Sequence, residues 1–233
     1  MQYNYTMRTK CAVCGNRGIP RKEVNLTVCQ SCGYTWQTEL VNIFEYDSDY
    51  ITRAYSNAPV IEMSWLRLGL LITTLGKTDG TILDIGYGDG SFARAAQTSG
   101  FTVYGYDVNP TEYGISRIHS LKHAFDNKLD CVTLFDSYEH MLNIEDIFSL
   151  NTEYFVLTVP YFDRFYNDGG TIEDISNWKH YKPDEHLHYF TGRSLGILFS
   201  RHGYEHVRAL PLEDAIRKDV NKPNTMTYVF KEL

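Results

Sequence analysis

Between positions 83 and 90 the chain reads Leu83-Asp84-Ile85-Gly86-Tyr87-Gly88-Asp89-Gly90, with a glycine at every second place. Glycine accepts the positive φ of tight turns and lets a ligand approach the backbone, so this spacing predicts a loop wrapped closely around something. A short apolar run, 81–85, precedes the loop, and a helix-compatible stretch, 91–99, follows it as far as Gly100. The loop therefore joins a strand to a helix. Dinucleotide sites space their glycines as G-x-G-x-x-G, and phosphate-gripping loops end in Lys-Ser or Lys-Thr; this chain does neither. The next apolar run, 101–107, ends on Asp107, 17 residues beyond Gly90, where an ionised carboxylate accepts from both hydroxyls of a ribose.

The same rhythm continues downstream. Apolar runs at 131–135 and 153–159, and others near Val207 and Tyr228, read as strands. One helix is expected from Pro59, because Ile61, Trp65, Leu68, Ile72 and Leu75 recur at three- and four-residue steps; others open at Asn109-Pro110 and at Thr191, the last reaching His202. Strand and helix in alternation make an α/β fold, a mostly parallel, Rossmann-like sheet with helices on both faces. Such sheets bind ligands at the carboxyl ends of their strands. The long segment from Pro160 to Tyr189 is expected to cover that edge, with most of its aromatics anchoring the loop rather than touching a ligand.

Four of the five cysteines fall close together, as Cys11-Ala-Val-Cys14 and Cys29-Gln-Ser-Cys32, with 14 residues between the pairs. Two C-x2-C pairs at about this separation are the spacing of a tetrahedral zinc site. Gly15 and Gly33 follow the second cysteine of each pair, where a knuckle turns tightly. Four thiolates close the coordination sphere, so zinc bound by Cys11, Cys14, Cys29 and Cys32 is expected to staple the fold rather than to catalyse. The chain divides into a zinc ribbon at 1–44, a connector and helix at 45–80, and the α/β domain at 81–233.

Charge narrows the partners. The whole chain carries 22 basic and 29 acidic side chains, net −7, which argues against an all-over grip on nucleic acid or on an anionic membrane. Residues 1–44 carry a formal +3 that four zinc-bound thiolates nearly cancel, so nucleic acid remains a partner but not the favoured one. The longest weakly charged stretch, 66–76, contains Arg67 and is about half the length of a bilayer crossing. The start, MQYNYTMRTK, has no apolar core of a secretory signal. A cytoplasmic protein with no membrane partner is expected.

The glycine loop and Asp107 together resemble the class I S-adenosylmethionine-dependent methyltransferases. The resemblance implies that Asp84, Gly86, Gly88 and Gly90, with Tyr87 between them, lie under the methionine part of S-adenosylmethionine, and that Asp107, beside Val108, holds its ribose. Phe135-Asp136-Ser137-Tyr138-Glu139-His140 is similar to the ubiquinone-biosynthesis-like branch and implies a cofactor contact for Asp136. Glu139 and His140 read equally well as the start of a helix. Glu185-His186-Leu187-His188-Tyr189-Phe190-Thr191 is similar to the H-E-H-x-x-Y-F-S element of sugar C-methyltransferases, which also begin with a cysteine-rich zinc module and a tyrosine-rich connector like Tyr46, Tyr50 and Tyr55 here. Asp184 stands where that element has its first histidine, and the further C-terminal domain of those enzymes is not expected here, so the resemblance does not imply their sugar-nucleotide specificity.

The implied activity is methyl transfer to a small polar or glycosylated acceptor. The alternatives are a nucleic-acid modifier guided by the ribbon, and a scaffold that binds the cofactor without catalysis. If the acceptor must lose a proton, His186 and His140 are the candidate bases and Glu185 the orienter of an imidazole. His188 alternates with His186 and faces the other way if the segment is extended.

Overall fold

The central strands are apolar at nearly every position, which requires cover on both of their faces. The computed structural model describes residues 5–6, 9–42, 59–108, 114–122, 125, 127–167, 169, 171–217 and 223–233. The cysteine module supplies β1 (Tyr5–Thr6), β2 (Ile19–Arg21), β3 (Leu26–Val28), β4 (Thr35–Gln37) and β5 (Glu39–Leu40). There follow α1 (Val60–Leu75), β6 (Gly80–Ile85), α2 (Ser91–Thr98), β7 (Phe101–Tyr106), β8 (Ser116–Arg117), β9 (Leu129–Phe135) and β10 (Thr152–Pro160). The chain ends with β11 (His188–Tyr189), α3 (Gly192–Arg201), β12 (Tyr204–Leu210), α4 (Asp214–Arg217) and β13 (Thr225–Glu232).

Seven strands form one sheet in the order β12-β13-β10-β9-β6-β7-β8. From β10 to β8 the strands are parallel, and β13 runs antiparallel to both its neighbours. This is the expected Rossmann-like sheet with a reversed strand near one edge. Successive side chains point to opposite faces: Ile82, Cys131, Val156 and Val229 meet Leu68, Leu71, Phe92 and Ala96 of α1 and α2. Leu83, Val132, Leu157 and Phe230 face the other way, onto Leu195, Leu198 and Phe199 of α3.

Beside α3, that second face is covered by the cysteine module itself, whose Cys11, Val13, Tyr34 and Trp36 belong to the same core. Its small sheet has the order β11-β4-β3-β2, with His188 opposite Trp36 and Tyr189 opposite Thr35. A strand from late in the chain thus completes the module. The Thr191 side chain caps α3 by accepting from the Ser194 amide at 3.0 Å, and the same hydroxyl donates to the Cys32 carbonyl at 3.0 Å.

The 160–189 segment is wound in short turns, and Phe162, Ile175, Trp178 and Tyr189 pack on Val24 and Leu26 of the module. Its aromatics do anchor the loop. The tyrosines of the connector, Tyr46, Tyr50 and Tyr55, lie outside the described residues. So do residues 109–113, where a helix was expected to open at Asn109-Pro110; by Ser116 the chain is already in β8, paired with β7. Among the described residues no helix is long and apolar enough to cross a membrane.

Candidate active site

β9, β6 and β7 lie side by side and parallel, so their carboxyl ends bring Asp136, the glycine loop and Asp107 together. Gly86, Gly88 and Gly90 have φ of 75°, 55° and 74°, the left-handed region that glycine enters without strain. A Cβ on Gly86 would lie 2.4 Å from the Ser137 Cβ, so the loop can press against β9 only with glycine there. The Gly88 amide donates to Asp107 Oδ2 at 2.9 Å, which ties the loop to the end of β7. Tyr87 turns inward: its ring is buried against Gly105, so it meets the cleft mainly through its backbone. Asp84, beneath the loop, accepts from the Thr133 hydroxyl at 2.7 Å, and burial pushes its carboxyl up to about 7.

Two cavities meet here, and Gly86, Asp136 and His140 line both. The first, about 320 Å³, runs past Asp107, exposed Val108, Leu121, Met141 and Asn143. The second, about 270 Å³, runs past Asp84, Arg67, Glu139, His180, Glu185 and His186. Together they form one cleft whose waist, the wall shared by both cavities, lies at the end of β9.

Asp136 sits at that waist in a left-handed conformation, φ 54°, with its amide bonded to the Thr158 carbonyl at 3.0 Å. Its carboxylate accepts from Arg67 at 3.0 Å and from Arg217. Both guanidiniums also bind Glu213, which is fully buried. Burial alone would push the Asp136 carboxyl up, but Arg217 and Arg67 outweigh it and hold it below the usual range. Asp136 was legible in the sequence, whereas Arg67, Glu213 and Arg217 were not assigned. A signal existed for two of the elements: Arg67 is the one charge in the apolar stretch 66–76, and Glu213 with Arg217 makes an i,i+4 pair.

The two candidate bases, His140 and His186, lie together in the second cavity. His140, on the turn Tyr138–His140, keeps its Nδ1 2.8 Å from the Glu185 carbonyl. It is the backbone of Glu185 that orients this imidazole; the Glu185 carboxylate pairs with Lys182 at 2.8 Å. The rings of His140 and His186 meet edge to face at 4.6 Å, and His180 stacks on His186 at 6.1 Å. Burial, reinforced by His140 and Lys182, holds His186 neutral well below the usual histidine range, and burial lowers His140 too. His180, which the sequence offered only as one aromatic among many, is pushed by burial down to about 4. His188 does face away: its Nδ1 is 2.6 Å from the Tyr34 hydroxyl and its Nε2 is 2.7 Å from the Met141 carbonyl.

The four module cysteines form a second constellation. Cys11 and Cys32 have their sulfurs 3.5 Å apart, Cys14 and Cys29 3.4 Å, and all four sulfurs lie within 4.8 Å of one another. A tetrahedral zinc with ~2.3 Å bonds needs sulfurs roughly 3.8 Å apart, so the donor set fits the ion. The Gly15 and Gly33 amides close each knuckle on the Cys11 and Cys29 carbonyls, with positive φ at both glycines.

Residues 62–209 match a family described as a methyltransferase domain. Among solved structures, the chain is similar to the 1,6-didemethyltoxoflavin-N1-methyltransferase of Burkholderia thailandensis, with bound 1,6-didemethyltoxoflavin and S-adenosylhomocysteine: TM-score 0.54, 14% identity, covering 79% of this chain and 86% of that one. The magnesium protoporphyrin IX methyltransferase of Synechocystis PCC 6803 with bound S-adenosylhomocysteine gives a TM-score of 0.51 at 14% identity, covering 75% and 86%. A SAM dependent methyltransferase from Aquifex aeolicus gives 0.54 at 13% identity, covering 81% and 100%. At these identities the likeness is one of fold. No curated protein sequence matches the chain.

Proposed function

This chain belongs to the methyltransferase-domain family, and on that footing we propose that it transfers a methyl group from S-adenosylmethionine to a small polar or glycosylated acceptor. The observation that carries the reading is the divided cleft: Gly86, Asp136 and His140 separate a ribose-competent half at Asp107 from a half lined with acids and imidazoles. Two of the similar solved structures are named as methyltransferases of magnesium protoporphyrin IX and of 1,6-didemethyltoxoflavin, which supports a small acceptor.

When bound, S-adenosylmethionine supplies a methyl group on a sulfonium. Asp107 would accept hydrogen bonds from the ribose hydroxyls, with Val108 next to it in the same cavity wall. Gly86, Gly88 and Gly90, with the Tyr87 backbone, give the cofactor a close floor, and Asp84 and Asp136 face its cationic end. Positive charge disappears in an in-line methyl transfer, so the residues chiefly align the reactants and exclude water, worth on the order of 7–11 kcal/mol. On the acceptor side, His186 and His140 draw the proton away from the attacking group, and Glu185 fixes His140 through its carbonyl. Zinc on Cys11, Cys14, Cys29 and Cys32 holds the module in shape and takes no part in the chemistry.

The reading is tested by calorimetry with S-adenosylhomocysteine, followed by mass spectrometry of its release from S-adenosylmethionine in the presence of hydroxylated and glycosylated small molecules. Failure to bind S-adenosylhomocysteine overturns it.

A further inference from the structure

Glu139, His140 and His186 stand on the acceptor half of the cleft, and one ligand atom from each lies within 4.8 Å of the other two. Glu139 is 1% and His186 3% exposed, yet Glu139 Oε2 and His186 Nδ1 have no hydrogen-bond partner. Leaving a buried polar atom unsatisfied is costly, and more so if it is charged. Two residues with such atoms, clustered with a third donor in one pocket wall, are what a bound cation would explain.

The surroundings favour a metal over a chance cluster. His140 is oriented through Nδ1 by the Glu185 carbonyl, the outer contact that metal-binding imidazoles usually have, and its Nε2 lies 4.0 Å from Glu139 Oε1. The Leu187 amide donates to the Glu139 carbonyl at 2.9 Å, which locks the two segments carrying the donors together. Five carboxyl groups and three cationic side chains line the pocket, so oxygen donors stand beside the imidazoles. Two imidazoles with one carboxylate suit a borderline transition cation, whereas magnesium and calcium take oxygen donors.

We propose that Glu139, His140 and His186 form a second metal site, separate from the cysteine module, for a divalent cation of the zinc type. Three protein donors leave a coordination position open, and that position faces the acceptor half of the cleft. The acceptor is then a molecule with a hydroxyl or enol oxygen, which the cation binds and polarises. This deepens the methyl-transfer reading and rests on it for the acceptor: with the cation in place His140 and His186 hold the metal instead of acting as free bases, and the polarised hydroxyl loses its proton to water; the metal site itself is testable alone.

Full-length protein carrying its cysteine-bound metal is titrated with Co²⁺ alone. The expected result is one further equivalent per chain, with visible d–d absorption and no thiolate charge-transfer band, lost in Glu139→Gln and in His186→Ala. No further uptake, or uptake equal in wild type and both variants, overturns the proposal. If either variant loses its circular dichroism signature, the wild-type protein decides: paramagnetically shifted imidazole protons support the site, and cobalt bands from thiolate alone overturn it. S-adenosylhomocysteine binding, measured without added metal, separates the two ideas. If it persists while cobalt uptake fails, only the metal site falls; if cobalt binds and S-adenosylhomocysteine does not, the methyl-transfer reading falls.

Discussion

The Tyr34 hydroxyl lies 2.6 Å from His188 Nδ1, a contact between residues 154 positions apart. Tyr34 follows the second cysteine knuckle, and His188 passes the connection on through Nε2 to the carbonyl of Met141, the neighbour of His140. The cysteine module and the wall of the cleft therefore share a polar contact as well as an apolar core.

Losing the cysteine-bound metal should consequently be felt by the whole molecule. A Cys29→Ser, Cys32→Ser variant is expected to melt in one transition lowered by ~10 °C, as a loss of several kcal/mol implies for a chain of this size. Calorimetry in which the main transition stays put while a small one vanishes would show the module to be independent.

Asp107 should matter to the cofactor beyond its tie to Gly88. Asp107→Ala is expected to weaken S-adenosylhomocysteine by ~10–100-fold, the worth of hydrogen bonds to a charged acceptor. Asp107→Asn should lose less. Titration calorimetry showing unchanged affinity in Asp107→Ala would remove the ribose assignment.

Asp84 gives the cofactor a pH dependence whose sign is fixed. Its carboxyl ionises near 7 in the fold, because burial raises it above the ordinary 3.8, and a cationic ligand favours the ionised form. Affinity for S-adenosylmethionine should rise from pH 6 toward pH 8, with proton release below pH 7, and Asp84→Asn should flatten the profile. The same raised pKa means that the folded state holds a proton the unfolded chain has lost. Asp84's contribution to stability is full below pH 3.8 and is lost as pH rises through 7. Asp84→Asn should therefore stabilise the apo-protein at pH 8, by at most ~4 kcal/mol, read from urea denaturation.

His186 should separate chemistry from binding. His186→Ala is expected to lower kcat by ~100-fold or more while leaving S-adenosylhomocysteine affinity within about threefold. Parallel loss of both, in steady-state kinetics and calorimetry, would make the residue structural.

The order of strands and helices was legible because the sheet is buried on both faces, so its strands read as unbroken apolar runs beside a glycine loop of unusual spacing. Asp107 was legible as a candidate because it ends a strand, whereas Asp136, His140 and His186 were singled out by the resemblance of their segments to known motifs. Arg67, Glu213 and Arg217 were not, since their meaning lies in meeting Asp136 from α1 and α4, far apart in sequence. Nor did the spacing of the cysteines say that their module would sit on the sheet, because that depends on β11 pairing with β4. His188 was placed by strand alternation, a purely local rule, and the structure agrees.

The pairing of β11 with β4 sets a schedule for synthesis. The cysteine knuckles are local and can take up metal soon after they leave the ribosome, but the edge of their sheet stays open until His188 and Tyr189 emerge. Through most of translation, Thr35 and Trp36 present an unpaired strand edge, the kind of surface that invites pairing with other chains. With zinc on the four cysteines, as proposed, early capture would keep that edge short and rigid while the remaining strands are made, and the ion would have a guarding role during birth that the finished molecule no longer reveals.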